Sequence, residues 1–194
     1  MTTTSPTTEL EAINTMLSVI GESPVNQLST ATNADARIAV QILNEISRDF
    51  QLQGWHFNTE PNFPLPRNAT GEIVVSSAMV RVDISASLYP SLSVTQRGNK
   101  LYDRNKHTYI FTADLVGECI FLLDFAEMPE AARRYVTLRA SRIFQDRVVG
   151  SNELARSAGG DKMMALGHMK AFDAATADHS IFDASDILET LDRY

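Results

Sequence analysis

The chain is organised around Asn33 to Asn58, NADARIAVQILNEISRDFQLQGWHFN. Ile38, Ala39, Ile42, Leu43, Ile46 and Phe50 recur at steps of three and four, which sets them along one side of an α-helix. Arg37, Gln41, Asn44, Ser47 and Arg48 fall on the other side, so the helix has one face to bury and one to hydrate. Asn33 or Asp35 caps its start, because a short polar side chain there accepts a hydrogen bond from a free backbone N–H. Gly54 ends it, since glycine enters the left-handed conformation at little steric cost. Trp55-His56-Phe57 then alternates apolar and polar, like the first residues of a strand.

Working outward from this helix, residues 1–7 are Thr-rich and read as a flexible arm. Thr8 and Glu11 have capping-box spacing, and Leu10, Ile13, Met16, Leu17 and Ile20 form the stripe of a helix that stops at Gly21. The short link Ser23 to Thr32 makes 8–54 a helical hairpin. Residues 55–125 are a β region: Pro61, Pro64, Pro66 and Pro90 exclude long helices, while Glu72–Val75, Met79–Ile84, Tyr109–Thr112 and Glu118–Phe125 favour strands. The last is apolar enough to lie centrally. Gly98-Asn99, between SLSVTQR and KLYD, is the clearest hairpin turn.

Residues 128–176 return to helices. Pro129 opens one that runs to Val149, with Ala132, Val136, Ala140, Ile143 and Phe144 on its buried side. A further helix over 152–176, weakened by Gly159-Gly160 and Gly167, uses Met163, Met164, Leu166, Met169 and Phe172 for its apolar contacts. Residues 177–194 are an acidic arm that orders only on a partner. The expected fold class is α+β: a bundle of long amphipathic helices with an inserted antiparallel β-sheet region, in a single domain 1–194.

Composition narrows the function. With 44% hydrophobic and 21% charged residues the chain has the make-up of an ordinary globular protein. No apolar run approaches the roughly 18 residues that span a bilayer, so no membrane insertion is expected, and MTTTSPTT has no signal-peptide pattern, which places synthesis in the cytoplasm. A net charge of −7 opposes a protein whose main work is gripping phosphates, yet suits a wall past which DNA slides. The single Cys119 reads as a small buried residue.

Catalytic patterns are sparse. His56, His107, His168 and His179 are too dispersed for a metal motif, and neither a phosphate loop nor a nucleophile elbow is present; the GGDK at Gly159 to Lys162 reads as a helix break. Neither a cofactor nor a metal is expected. Glu22, Glu118, Asp124 and Glu127 lie near element ends, where capping and solubility account for acids as readily as catalysis does. Arg133, Arg134, Arg139, Arg142 and Arg147 stand on one helix against only Glu130 and Asp146. Glu130 with Arg134, and Arg142 with Asp146, have pairing distance along a helix, whereas Arg139 falls inside the apolar stripe and calls for a carboxylate from a neighbouring helix or subunit.

ELEAINTMLSVIGESPV, NADA with Ile42-Leu43 and Ile46-Ser47-Arg48, GWHFN, LYDR at 101–104 and EMPEAARRYVTLRASRIFQDRVVG run in order through the chain. Together they resemble tail tubular protein A, the adaptor of short-tailed bacteriophages. The resemblance implies a structural virion protein rather than an enzyme, forming a dodecameric ring between the capsid portal and a nozzle protein of the tail tubular protein B type. DNA would pass through its channel without sequence-specific binding. On this reading Arg133, Arg134, Arg139, Arg142, Phe172, Ile181, Phe182 and Leu188 are candidates for subunit or portal contact, and Gly98-Asn99 for a nozzle-facing hairpin. The alternative is a tail-associated peptidoglycan-cleaving enzyme, with Glu118 and Asp124 as its acids.

Overall fold

The computed structural model describes residues 5–28, 33–150 and 158–176. They fall into two compact units, one from Met1–Ile46 with Met128–Tyr194 and the other from Ser47–Glu127. The elements are α1 (Glu9–Val19), α2 (Ala34–Gln51), β1 (Thr59–Leu65), β2 (Met79–Asp83), β3 (Val94–Arg97), β4 (Lys100–Asp103), β5 (Leu115–Phe121), α3 (Glu130–Val148) and α4 (Ala158–Thr176).

In the first unit, α1 opens on the capping box that its spacing indicates: the Thr8 N–H donates to Glu11 Oε2 at 2.7 Å and the Glu11 N–H donates to Thr8 Oγ1 at 3.2 Å. It closes in a Schellman turn around Gly21, at φ 80°, with the Glu22 N–H on the Leu17 carbonyl and the Gly21 N–H on that of Ser18. The Asn14 amide then holds the exit, accepting from the Val25 N–H at 2.8 Å and donating to the Val25 carbonyl at 3.0 Å. At the start of α2 it is Asn33 that caps, accepting from the Asp35 N–H at 2.8 Å. α1 and α4 each pack against α3. Ala132, Val136, Ala140 and Phe144 are fully buried, as the stripe of α3 requires. Thr137 and Ser141 share that burial by donating to the carbonyls of Arg133 and Thr137, at 2.7 and 2.8 Å.

The second unit has its own core, in which Leu65, Ile73, Val75, Leu101, Phe111 and Leu115 are joined by Met79 and Cys119. One sheet has the order β1-β5-β2, all antiparallel, and the other is the hairpin β3-β4. β5 is therefore central, and the Pro-bearing β1 takes an edge, where a missing N–H costs no ladder bond. Arg97 pairs with Lys100 across Gly98-Asn99, and only Gly98 of the two has a positive φ, 63°, as in a type II′ turn.

The last turn of α2 and the GWHFN motif belong to this unit. Gly54, at φ 73°, ends the helix. Trp55 stacks on Phe50 at 4.8 Å and its indole N–H donates to the Phe50 carbonyl at 2.9 Å. Asn58 accepts from the Trp55 N–H at 2.8 Å and donates to the carbonyls of Gln51 and Phe121, at 3.0 and 2.8 Å. Gln51 acts as a strand partner for Leu123, accepting its N–H at 2.8 Å and donating to its carbonyl at 3.1 Å.

Several expectations are corrected. The chain is α+β, but it is not a bundle of long helices: among the described residues there are four α-helices, with 44% of the structure helical and 21% strand, and the β region holds two small antiparallel sheets. The stretch 47–127 has a core cluster of its own. α4, for its part, buries only Ala165 and Met169 among its described side chains, a stripe too narrow for a bundle member. Ile38 is 39% exposed while Ser47 is buried, so the covered face of α2 is rotated from the expected one. Trp55-His56-Phe57 does not begin a strand, because Asn58 closes a 3₁₀ turn over His56–Asn58 first. Glu72–Val75 and Tyr109–Thr112 make isolated bridges and short backbone contacts rather than strands. Gly159-Gly160 lies in the first turn of α4 and does not break it.

Candidate assembly surfaces

The arginines of α3 have different surroundings. Arg133 is drawn inward, its Nε donating to the Met128 carbonyl at 2.7 Å and its Nη1 to the Thr7 carbonyl at 3.0 Å. Glu130 completes this latch, accepting the Thr7 N–H at 2.7 Å and the Thr7 hydroxyl at 2.6 Å. The arm read as 1–7 is thus tied to the start of α3 at its last residue. Arg147 forms a two-pronged ion pair with Glu45, both contacts at 3.0 Å, and the carboxylate raises the guanidinium pKa further. Arg134 is exposed, and Arg139 and Arg142 are half-buried. Among the described residues, Arg134 and Arg142 form no ion pair or side-chain hydrogen bond.

α4 leaves apolar surface open: Met163 is 78% exposed, Met164 61% and Phe172 39%. Arg134, Leu138, Met164, Ala165 and His168 line an open cleft of about 220 Å³ between α3 and α4. Ile181, Phe182 and Leu188 lie outside the described residues.

In the second unit the Gly98-Asn99 tip is exposed and a Cβ on Gly98 would meet nothing within 4 Å. Behind it, the Arg97 guanidinium lies 3.7 Å over the Tyr102 ring, which meets Tyr109 edge-on at 4.8 Å. Lys100 joins Glu72 at 2.9 Å and holds its carboxyl below the usual value of 4.5. Glu11 is held below the same value by its bonds with Thr8. Each therefore releases its proton more readily folded than unfolded. Their stabilisation is whole above the unfolded pKa and is lost as pH falls through the folded one. The thermal midpoint should drop on acidification below about pH 4.5, and Glu72→Gln should reduce that drop; an identical pH profile would remove Glu72 from it.

The acids weighed for catalysis are not brought together in one pocket. Glu118 is exposed and faces Asp83, its register partner across β2-β5, in a shallow pocket that Asp124 does not line. Asp124 lies in the turn after β5, where its backbone carbonyl accepts the Glu127 N–H at 2.9 Å and its own N–H donates to Glu127 Oε2 at 3.2 Å. Among the described residues no three His, Cys, Asp or Glu side chains are grouped to hold a metal. Burial pushes the Cys119 thiol up to about 11, with the charges of Glu60 and Glu118 adding to it. Alkylation of the native protein at about pH 8 should run roughly a hundredfold slower than after unfolding, as thiol-reagent kinetics would show; equal rates would place the thiol at the surface.

The latch of Thr7 to Glu130, where the spacing pairs Glu130 with Arg134, and the exposure of the methionines escaped the sequence reading. The Thr7 contacts span 123 and 126 residues, beyond any local spacing, and a methionine at a helical step reads as core until its cover is known.

The open faces, more than an enclosed cleft, are what this geometry offers a partner, and they define an assembling protein. Residues 10–179 match the sequence model of the family described as tail tubular proteins, and the chain belongs to that family. It is a structural component of a bacteriophage tail, assembled with other tail proteins. No curated protein matches it individually. No helix among the described residues is long and apolar enough to cross a membrane.

Proposed function

We propose that the chain is the adaptor subunit of a short tail, closing a dodecameric ring between the capsid portal and the nozzle protein and surrounding the channel through which DNA leaves. The family match over residues 10–179 carries this reading. The net charge of −7 supports it, since a wall of that sign lets phosphates pass without adhering. In this scheme the arginine face of α3 and Phe172 contact a neighbouring subunit or the portal, and the Gly98-Asn99 tip meets the nozzle. A single structural domain, 1–194, would act as the ring subunit.

The test is the mass and shape of the protein with and without its portal, by light scattering and negative-stain electron microscopy. Rings capping the portal are expected. A chain that neither forms rings nor binds the portal at any salt concentration would overturn the reading.

A further inference from the structure

A cavity of about 220 Å³ opens in the second unit, between the loop before β3, the turn at the end of β4 and the segment that leads into β5. Asp103 lines it and is 1% exposed. Its Oδ1 accepts the N–H groups of Asn105 and Lys106, at 2.9 and 3.4 Å, whereas Oδ2 makes no hydrogen bond or ion pair among the described residues. A buried carboxylate oxygen is unfavourable until a donor reaches it. The ammonium of Lys106 does not serve, for that side chain also lines the cavity but is exposed and forms no ion pair with Asp103.

The walls are apolar. Tyr89 and Leu92 face the cavity from one side and Phe111 and Leu115 from the other, while Leu88, 60% exposed, and Ile110, 50% exposed, stand at its mouth. The Tyr89 hydroxyl accepts the Val116 N–H at 3.1 Å and the Ser91 carbonyl accepts from the Asn105 amide at 3.2 Å, so loop and turn are held in place before anything binds.

Volume and lining select the occupant. The cavity exceeds the roughly 150 Å³ that accommodates benzene and falls short of the about 300 Å³ at which cofactor pockets begin, so it takes one side chain. An apolar stem with a cationic head matches these walls and this carboxylate. A guanidinium suits them better than an ammonium, because it is planar, weakly hydrated and stacks on rings. Leu88 and Ile110 at the mouth call for the cover of a protein surface, which a free small molecule does not give.

We propose that this cavity receives an arginine side chain from another protein of the tail, with its stem against Tyr89, Leu92 and Phe111 and its guanidinium on Asp103 Oδ2. The source of the arginine rests on the assembly reading above, and its chemistry on the cavity alone.

Titration with N-acetylarginine methylamide, followed in the methyl resonances of Leu88, Leu92, Ile110 and Leu115, tests the chemistry. The resonances should move and saturate at roughly millimolar probe. The norleucine analogue, which has a stem without the charge, should bind about tenfold more weakly, and Asp103→Asn, which keeps an acceptor at Oδ1, should weaken arginine about as much. Equal binding of the two probes by the wild type, or resonances that do not move, would overturn the proposal without any variant. A photo-crosslinking residue in place of Leu88 in assembled tails tests the source, and should attach to an arginine-bearing segment of a different tail protein. Attachment only to a second copy of this chain, or to no protein, would overturn that source. A chain that fails to cap the portal would leave the titration unchanged, so the two readings fail separately.

Discussion

Replacing Trp55 with alanine lowers the free energy of unfolding by about 4 kcal/mol, the range for removing a large buried aromatic. The ring is 7% exposed and stacks on Phe50 at 4.8 Å, so truncation leaves a cavity that the end of α2 and the turn after it cannot fill. It also takes the indole N–H from the Phe50 carbonyl. Trp55→Phe separates the two effects, since phenylalanine keeps most of the stacking and loses the donor, with a loss of about 1–2 kcal/mol. Trp55 is the single tryptophan, so far-ultraviolet circular dichroism in urea must follow these variants. A loss below about 1 kcal/mol for Trp55→Ala would mean that the ring does not hold this junction.

The same junction separates what was legible in the sequence from what was not. The helix over Ala34–Gln51 and its stop at Gly54 depend on neighbours in sequence: an apolar period, a cap at Asn33, a glycine at φ 73°. The hairpin at Gly98-Asn99 is local in the same way. The 3₁₀ turn at His56–Asn58 is not, because Asn58 reaches the Phe121 carbonyl, 63 residues away. Gln51, read as the tail of a helix, spends its amide on Leu123, 72 residues away. Periodicity also says which face of a helix could be buried, not how much of it will be covered. That is why Met163, Met164 and Phe172 read as core and stand at the surface.

For the assembly surface the same limit applies more severely. The arginines of α3 could be counted, but not sorted. Arg133 is held by backbone carbonyls and Arg147 by Glu45, while Arg134 remains available to a partner. No spacing within the helix distinguishes them, since each fate is set by a residue brought there by another element. Membership of the tail tubular family was readable because motifs such as IGESPV and GWHFN are local in sequence and run in order along the matched residues 10–179.

Gly117→Ala will cost about 3 kcal/mol, although it adds one methyl group to a small residue in a strand. Gly117 is in central β5, and a Cβ there would come within 2.6 Å of the Asp83 carbonyl oxygen and 2.7 Å of Ile84 Cδ1. The first of these atoms is backbone, so relief requires β2 to move away from β5 next to the Asp83–Glu118 pair. An added methyl usually favours a strand, so the sign here comes from the approach of the neighbouring chain and not from propensity. Gly167→Ala makes the contrast. That glycine is in α4 with nothing within 4 Å of its Cβ position, and alanine should stabilise the helix by up to about 1 kcal/mol. Trp55 fluorescence in urea reports the first variant and circular dichroism the second. An unchanged midpoint for Gly117→Ala would show that β2 and β5 do not approach as closely as the register requires, and with that the placement of Glu118 opposite Asp83 would also fail.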